Sequence, residues 1–351
     1  MKILHISEYA NGGISTYINS VVAHQHPEHD VYVLISDYNS QKKYDIPDEK
    51  IFTYPYKRHP KHFLSAILHI FRKIKEIKPD VVHIHSTYAG LFTRLIYFLV
   101  KKDVKIIYCP HGWSFLMDVS EKKRKIYAWV ERVLSRKTDV IINISQYEYN
   151  QSLEYKIPAD KSVVVYNGVP GEAQIQELDA IPSKDKINML FVGRFDKQKG
   201  LDILLDVFSR NTFPNIQLYI IGGGVLGDVN VKFPDNVVHL GWIDNKFLDS
   251  YYAKCDVLIM PSRWEGFGLV AVEAMKNKKA VIASNRGALP EIVLHGKTGY
   301  IFDISKPEQL IEILRTLDKS KLTEMGLNGY EAYKEKFSAE RMNKELLECY
   351  V

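Results

Sequence analysis

CDVLIMPSRWEGFGLVAVEAM occupies residues 255–275. Its first eight residues form a nearly continuous apolar run, the pattern of a strand buried on both faces. From Phe267 onward the apolar residues fall at helical spacing, so the segment is a strand that turns directly into a helix. The junction holds Glu265 and the glycine-rich Gly266-Phe267-Gly268, and a second acid, Glu273, stands eight positions after the first. In an open α/β sheet such junctions lie at the C-terminal edge of the strands, where ligands bind.

Strand followed by helix recurs along the whole chain. Short apolar runs at 2–7, 31–36, 80–86, 104–110, 139–145 and 162–169 are interleaved with helical stretches at 15–25, 62–77, 89–101 and 120–136. Residues 170–185, PGEAQIQELDAIPSKD, are polar, hold two prolines and lack any period, which predicts a linker. The strand runs then resume at 187–193, 216–224, 236–242, 255–262 and 279–284. The expected architecture is α/β: two Rossmann-like, doubly wound parallel-sheet domains facing a central cleft.

Composition agrees with this division. A chain of 351 residues exceeds the usual size of one hydrophobic core. Apolar residues make up 46% and charged residues 25%, as in soluble globular proteins. The three cysteines, Cys109, Cys255 and Cys349, form no CxxC pair, which excludes a thiolate zinc site of that kind and suits a reducing compartment. The N-terminal residues lack a signal-peptide pattern, and the most apolar run, 89–100, is too short to span a bilayer and contains Arg94. A cytoplasmic protein is expected. Residues 1–171 hold 24 lysines and arginines against 17 acids, so the positive charge sits in the first half.

Candidate site residues cluster just after strands. In NGGIST, Gly12 and Gly13 open a helix whose N–H groups favour an anion, although a tight turn alone would also use them. CPHGWSF places His111 at a strand end, where it can bond a hydroxyl or move a proton. His83 and His85 alternate along their own strand; packing within the sheet is the simpler expectation for both. In VGRFDKQKG, Arg194 and Lys199 at one junction suggest a diphosphate clamp. IGGGVLGD, 221–228, lacks the dinucleotide spacing and indicates a turn near a ligand. Glu265 and Glu273 can each accept two hydrogen bonds from vicinal hydroxyls, with the amides of the helix start between them and Glu273 the deeper of the two. Ribose, diphosphate and sugar have that layout.

NGGIST, PHGWSF, VYNGV, VGRFDKQKG, RWEGFGLVAVEAM and GALPEIVLHGKTGY occur in one order along the chain. Together they resemble the retaining glycosyltransferases of family 4, which have the GT-B fold. The resemblance covers essentially the full length. It implies an acceptor domain over 1–169, the linker 170–185, a nucleotide-sugar donor domain over 186–337, and a last helix at about 338–351 packing back on the first domain. It implies that Arg194, Lys199, Gly13 and the amides of Leu269 and Val270 bind the donor diphosphate. Glu273 would take the ribose, and Glu265, Gly266, Phe267 and Gly268 the transferred sugar. His111 and Glu265 are the implied catalytic residues, with Gly12 and His85 on the acceptor side.

The implied reaction is hexosyl transfer with retention from a nucleotide-diphosphate sugar, UDP being the expected base, to a hydroxyl of a glycan or lipid-linked saccharide in cell-surface polysaccharide assembly. No cofactor is expected. The sequence has no Asp-x-Asp pair of the kind that holds a divalent cation in other transferases, so no metal is expected either. The amphipathic stretch 62–78 and the basic cluster EKKRK at 121–125 could place the protein peripherally on an anionic inner-membrane face. Scattered basic residues and no recognition motif exclude nucleic acid as a partner. Two other functions fit the same fold: a nucleotide-sugar 2-epimerase and a catalytically silent nucleotide-sugar-binding subunit.

Overall fold

The computed structural model describes residues 1–171, 173, 175–176, 185–224, 233–234 and 236–351, which divide into two compact units. The expected linker at 170–185 falls largely outside the described residues, as does the second half of IGGGVLGD.

The N-terminal unit comprises Met1–Gly168 and Ala339–Val351. Its strands are β1 (Lys2–Ser7), β2 (Asp30–Ser36), β3 (Ile51–Tyr54), β4 (Val81–His85), β5 (Lys105–Cys109), β6 (Val140–Asn143) and β7 (Ser162–Val164). They form one parallel sheet in the order β3-β2-β1-β4-β5-β6-β7. The chain runs outward from β1 to β3 and then returns to the centre at β4, so β1 and β4 flank the switch point. Helices α1 (Gly13–Gln25), α2 (Phe63–Ile77), α3 (Thr87–Leu99), α4 (Glu121–Leu134) and α5 (Gln146–Glu154) connect them. Ser145 caps α5 by accepting from the Glu148 amide at 3.1 Å.

Core packing accounts for the apolar stripes. Ala66, Ile70 and Ile74 of α2 and Phe92 of α3 pack with Leu4 and Val82 of the central strands. The apolar face of 62–78 is thus mainly a core face, leaving Leu64 and Leu68 exposed. Arg94, inside the apolar run 89–100, is fully buried and ion-paired with Glu131 of α4 at 2.7 Å. Tyr108 bonds the other carboxylate oxygen at 3.0 Å and its ring lies under the guanidinium. A buried charge is tolerated only when paired in this way.

The C-terminal unit, Val169–Ser338, repeats the design. Strands β8 (Ile187–Val192), β9 (Ile216–Ile221), β10 (Val237–Gly241), β11 (Val257–Met260), β12 (Ala280–Ser284) and β13 (Gly299–Phe302) lie parallel in the order β10-β9-β8-β11-β12-β13. Its switch point lies between β8 and β11. The helices are α6 (Leu201–Arg210), α7 (Asn245–Lys254), α8 (Leu269–Lys276), α9 (Leu289–Ile292), α10 (Pro307–Arg315) and α11 (Lys319–Lys336). Asp244 and Asp318 cap α7 and α11. The last helix, α12 (Ala339–Tyr350), belongs to the N-terminal unit and packs against α1.

Every strand expected from sequence forms. The two that were not expected, β3 and β13, are four-residue strands at sheet edges.

Candidate active site

Each switch point carries its own cluster. In the C-terminal unit, β8 ends at Val192 and delivers Gly193, Arg194 and Lys199; β11 ends at Met260 and delivers Ser262, Arg263 and Glu265. Lys199 Nζ donates to Glu265 Oε1 at 2.5 Å, and Ser262 Oγ donates to the same oxygen at 3.0 Å. Arg263 forms a two-bond pair with Asp202 of α6 at 2.7 and 2.6 Å, and Gln198 Nε2 donates to the Trp264 carbonyl. The two loops are thereby stitched across the switch point.

Two glycines make this approach feasible. Gly200 has φ +68°, and a Cβ there would lie 1.9 Å from the Pro261 carbonyl oxygen. Gly287 has φ +59°, and its Cβ would meet the Glu265 carbonyl oxygen at 1.9 Å. Neither position accepts a side chain without displacing the loop that carries Glu265.

Arg194 is half-exposed, with its guanidinium beside Asp196 at 2.9 Å and Gln198 at 3.2 Å. Helix α8 begins at Leu269 after Gly268; among the described residues no side chain caps it and its first turn holds no acid. The Leu269 and Val270 amides are therefore placed as expected at a positive helix end. Phe267 is buried against Phe337, so it anchors the loop. Glu273 Oε2 accepts from Tyr252 OH at 2.9 Å, and among the described residues nothing donates to Oε1. Burial raises the Glu273 pKa above the ordinary carboxylate value, against the pull of Tyr252 and Lys276. Glu265 is 7% exposed, tucked between Lys199 and Ser262, and Glu273 is half-buried.

In the N-terminal unit the ends of the three central strands carry non-glycine residues at positive φ: Tyr9 (44°) after β1, Ser86 (76°) after β4 and His111 (51°) after β5. Such backbone strain concentrates at functional sites. His111 is half-buried, packs edge-on against Tyr17 at 4.4 Å, and bonds His85 through Nε2 at 3.0 Å. Burial pushes its pKa down to about 3, so it is neutral at physiological pH. His85 is fully buried with both ring nitrogens engaged, so it reaches a ligand only through His111. Gly12 and Gly13 are exposed at the start of α1, which no side chain caps among the described residues.

Sequence reasoning did not single out several participants. Glu8, directly after β1, is buried, pairs with the half-exposed Arg58 at 2.8 Å, and has its pKa raised by burial. Arg58 lies over the Tyr9 ring at 4.6 Å. Glu8 occupies the strand-end position that drew attention to His111, so its place in KILHISE was a usable signal. His5, Gln25 and Tyr350 carried none, because their roles depend on strand register and on the return of α12.

Two open parallel sheets, each with its charged cluster at the switch point, define the GT-B class of two Rossmann-like units. Residues 11–172 match the family model "Glycosyltransferase Family 4" and residues 174–332 match "Glycosyl transferases group 1". An "uncharacterized 41.2 kDa protein in cps region" of Klebsiella pneumoniae is 40% identical over 90% of this chain and 89% of its own. The Escherichia coli O-antigen biosynthesis glycosyltransferase WbnH is 29% identical over 80% of each chain. The crystal structure of Anabaena HepE in complex with UDP and glucose superposes with a TM-score of 0.82 at 19% identity, covering 99% of this chain and 98% of that one. The chain belongs to family 4 of the glycosyltransferases and is itself a glycosyltransferase. Among the described residues no helix is long and apolar enough to cross a membrane.

Proposed function

We propose that the protein transfers a hexose, with retention, from a UDP-sugar to a hydroxyl of a glycan or lipid-linked saccharide during surface-polysaccharide assembly. The observation that carries this reading is the Lys199–Glu265 pair at the β8/β11 switch point, set beside the uncapped start of α8. Lys199, Arg194 and the Leu269 and Val270 amides neutralise the diphosphate, with the Gly13 amide helping from α1. Glu265 and the Gly266–Gly268 backbone hold the transferred sugar, and Glu273 Oε1 takes a ribose hydroxyl. The C1–phosphate bond breaks with its electron pair passing to the diphosphate. The acceptor oxygen bonds C1 on the same face, and its proton goes to the departing phosphate oxygen. His111 accepts a hydrogen bond from a hydroxyl of the transferred sugar. No step in this route needs a metal. The naming of WbnH for O-antigen biosynthesis and the UDP and glucose bound to HepE support the substrate classes.

A thermal-shift screen against UDP, GDP, ADP and CDP, without and then with magnesium, tests the donor site. UDP alone is expected to raise the melting temperature, because binding to the native state stabilises it by mass action, and Arg194→Ala should abolish most of the shift. No shift with any nucleotide would remove the donor assignment. With the donor in hand, NMR of the product reads the anomer; an inverted product would exclude same-face transfer.

We further propose that the acceptor is met at an anionic membrane surface. Lys122, Lys125, Ile126 and Trp129 fall at three- and four-residue spacing on α4, with Ile126 and Trp129 exposed. Basic residues beside an exposed tryptophan suit a headgroup layer. Flotation should recover more protein with anionic than with neutral vesicles; equal recovery would end the docking proposal.

A further inference from the structure

Beneath His111 lies a hydrogen-bonded series of buried side chains that the transfer chemistry does not itself require. His111 Nε2 is 3.0 Å from His85 Nδ1, and His85 Nε2 is 3.0 Å from His5 Nδ1. His5 Nε2 is 2.9 Å from Gln25 Oε1, whose amide nitrogen donates to Tyr350 OH at 3.1 Å. Tyr350 OH lies 2.6 Å from His83 Nδ1. His5, His83 and His85 are fully buried, and Gln25 and Tyr350 nearly so. The register makes this arrangement: His5 of β1 pairs with His83 of β4, Ser7 with His85, and α1 and α12 close over the sheet.

Neutral imidazole has one donor nitrogen and one acceptor nitrogen, so one fixed end determines every proton in such a series. Gln25 Oε1 can only accept, so His5 carries its proton on Nε2 and presents Nδ1 as an acceptor. His85 must then donate from Nε2 and accept at Nδ1, and His111 must donate from Nε2. The Gln25 amide nitrogen fills the acceptor position of Tyr350, whose hydroxyl hydrogen is left for His83 Nδ1.

We infer that Gln25, His5 and His85 are positioning residues that lock His111 as the Nε2–H tautomer, leaving Nδ1 as a bare acceptor facing the ligand. His111 then recognises a hydroxyl, which can donate to Nδ1, and disfavours a phosphate or carboxylate oxygen, which cannot. The specificity consequence is a neutral sugar hydroxyl at this point of the donor. The consequence for the sugar rests on the role given to His111 above; the tautomer does not.

His5, His83 and His85 also place three ring nitrogens within 4.8 Å, a spacing that could hold a metal ion. A divalent cation there would have to break the His5–His85 bond and would bring a buried charge among neutral groups. The proton series is the arrangement that uses the bonds present.

Long-range ¹H–¹⁵N correlation spectra of the full chain, labelled at histidine and assigned with His111→Asn, test this at neutral pH. His5, His85 and His111 are each expected as a single Nε2–H form, unchanged by added Zn²⁺. Gln25→Leu removes the fixed end, and the milder Tyr350→Phe lets the Gln25 amide turn over. Either is expected to convert the single His111 signal set into a mixture of the two tautomers, with the indole N–H signal of buried Trp113 reporting intact folding. An Nδ1–H or doubly protonated His111, signals of His5, His83 or His85 displaced by Zn²⁺, or a folded variant of both kinds with His111 unchanged would each overturn the inference. The UDP melting shift is read separately, so loss of the donor assignment and loss of the proton series are distinguishable results.

Discussion

Acidification from pH 6.5 towards 4 is expected to unfold the N-terminal unit while most of its carboxylates are still ionised. Four histidines there are held neutral. Burial lowers His5 to about 4 and His111 to about 3, while His83 and His85 lie well below the ordinary value because of burial and neighbouring imidazoles. The groups facing them, Tyr17 from α1, Tyr350 from α12 and Cys109 from β5, are pushed upward by burial and stay uncharged, so none offers a negative charge to an imidazolium.

The sign follows from proton counts. In the unfolded chain these histidines protonate near pH 6.5, whereas in the native unit they do not until much lower pH. The unfolded state therefore binds more protons throughout that window, and stability falls as pH falls. With four such groups the limiting slope is roughly 5 kcal/mol per pH unit, comparable over two units to the whole stability of a domain. Urea unfolding at fixed pH values, followed by the ¹⁵N-labelled indole N–H of Trp113, which donates to Asn143 at 2.9 Å, reads this slope. His83→Gln should reduce it by about 1.4 kcal/mol per pH unit, whatever it does to stability at pH 7. A slope the same in wild type and variant would show that His83 titrates normally.

Most of the fold was legible because a buried parallel strand leaves a local signature. DVVHIHS and CDVLIMPS are apolar runs ended by polar or small residues, and each forms a strand over its middle. The positions of Arg194, Lys199, His111 and Glu265 were legible for a related reason: a residue just after such a strand stands at the sheet's C-terminal edge whatever the rest of the chain does. The Lys199–Glu265 contact spans 66 residues and depends on β8 and β11 being neighbours, which alternation does not specify. The histidine series depends on register in the same way. His5 meets His83 only because Ile3 of β1 aligns with Val81 of β4, and a shift of one residue would turn these side chains to the other face.

Removing Lys199 alone is expected to cost more stability than removing it together with the charge of Glu265. The lysine and glutamate side chains are 17% and 8% exposed, so each charge is compensated chiefly by the other. In Lys199→Ala the Glu265 carboxylate would retain Ser262 Oγ as its hydrogen-bond donor but no cation, and breaking a buried pair from one side costs about 3 kcal/mol. Glu265→Gln, in which the amide can still accept from Ser262, should rescue most of this loss when combined with Lys199→Met, leaving the double variant within about 1 kcal/mol of wild type. Nucleotide binding should separate from stability in the same set. In the proposed donor site the ammonium itself meets the diphosphate, so the UDP-dependent melting shift is expected to vanish in Lys199→Ala and to remain absent in the stable double variant. A double variant that still responds to UDP would assign the diphosphate to Arg194 and the α8 amides alone. Equal stability in Lys199→Ala and the double variant would show that water, rather than Lys199, compensates Glu265. Glu265 would then be accessible enough to bind a sugar hydroxyl without first releasing its partner, whereas in the proposed route the closed pair opens as the arriving diphosphate draws Lys199 away and frees the carboxylate for the sugar.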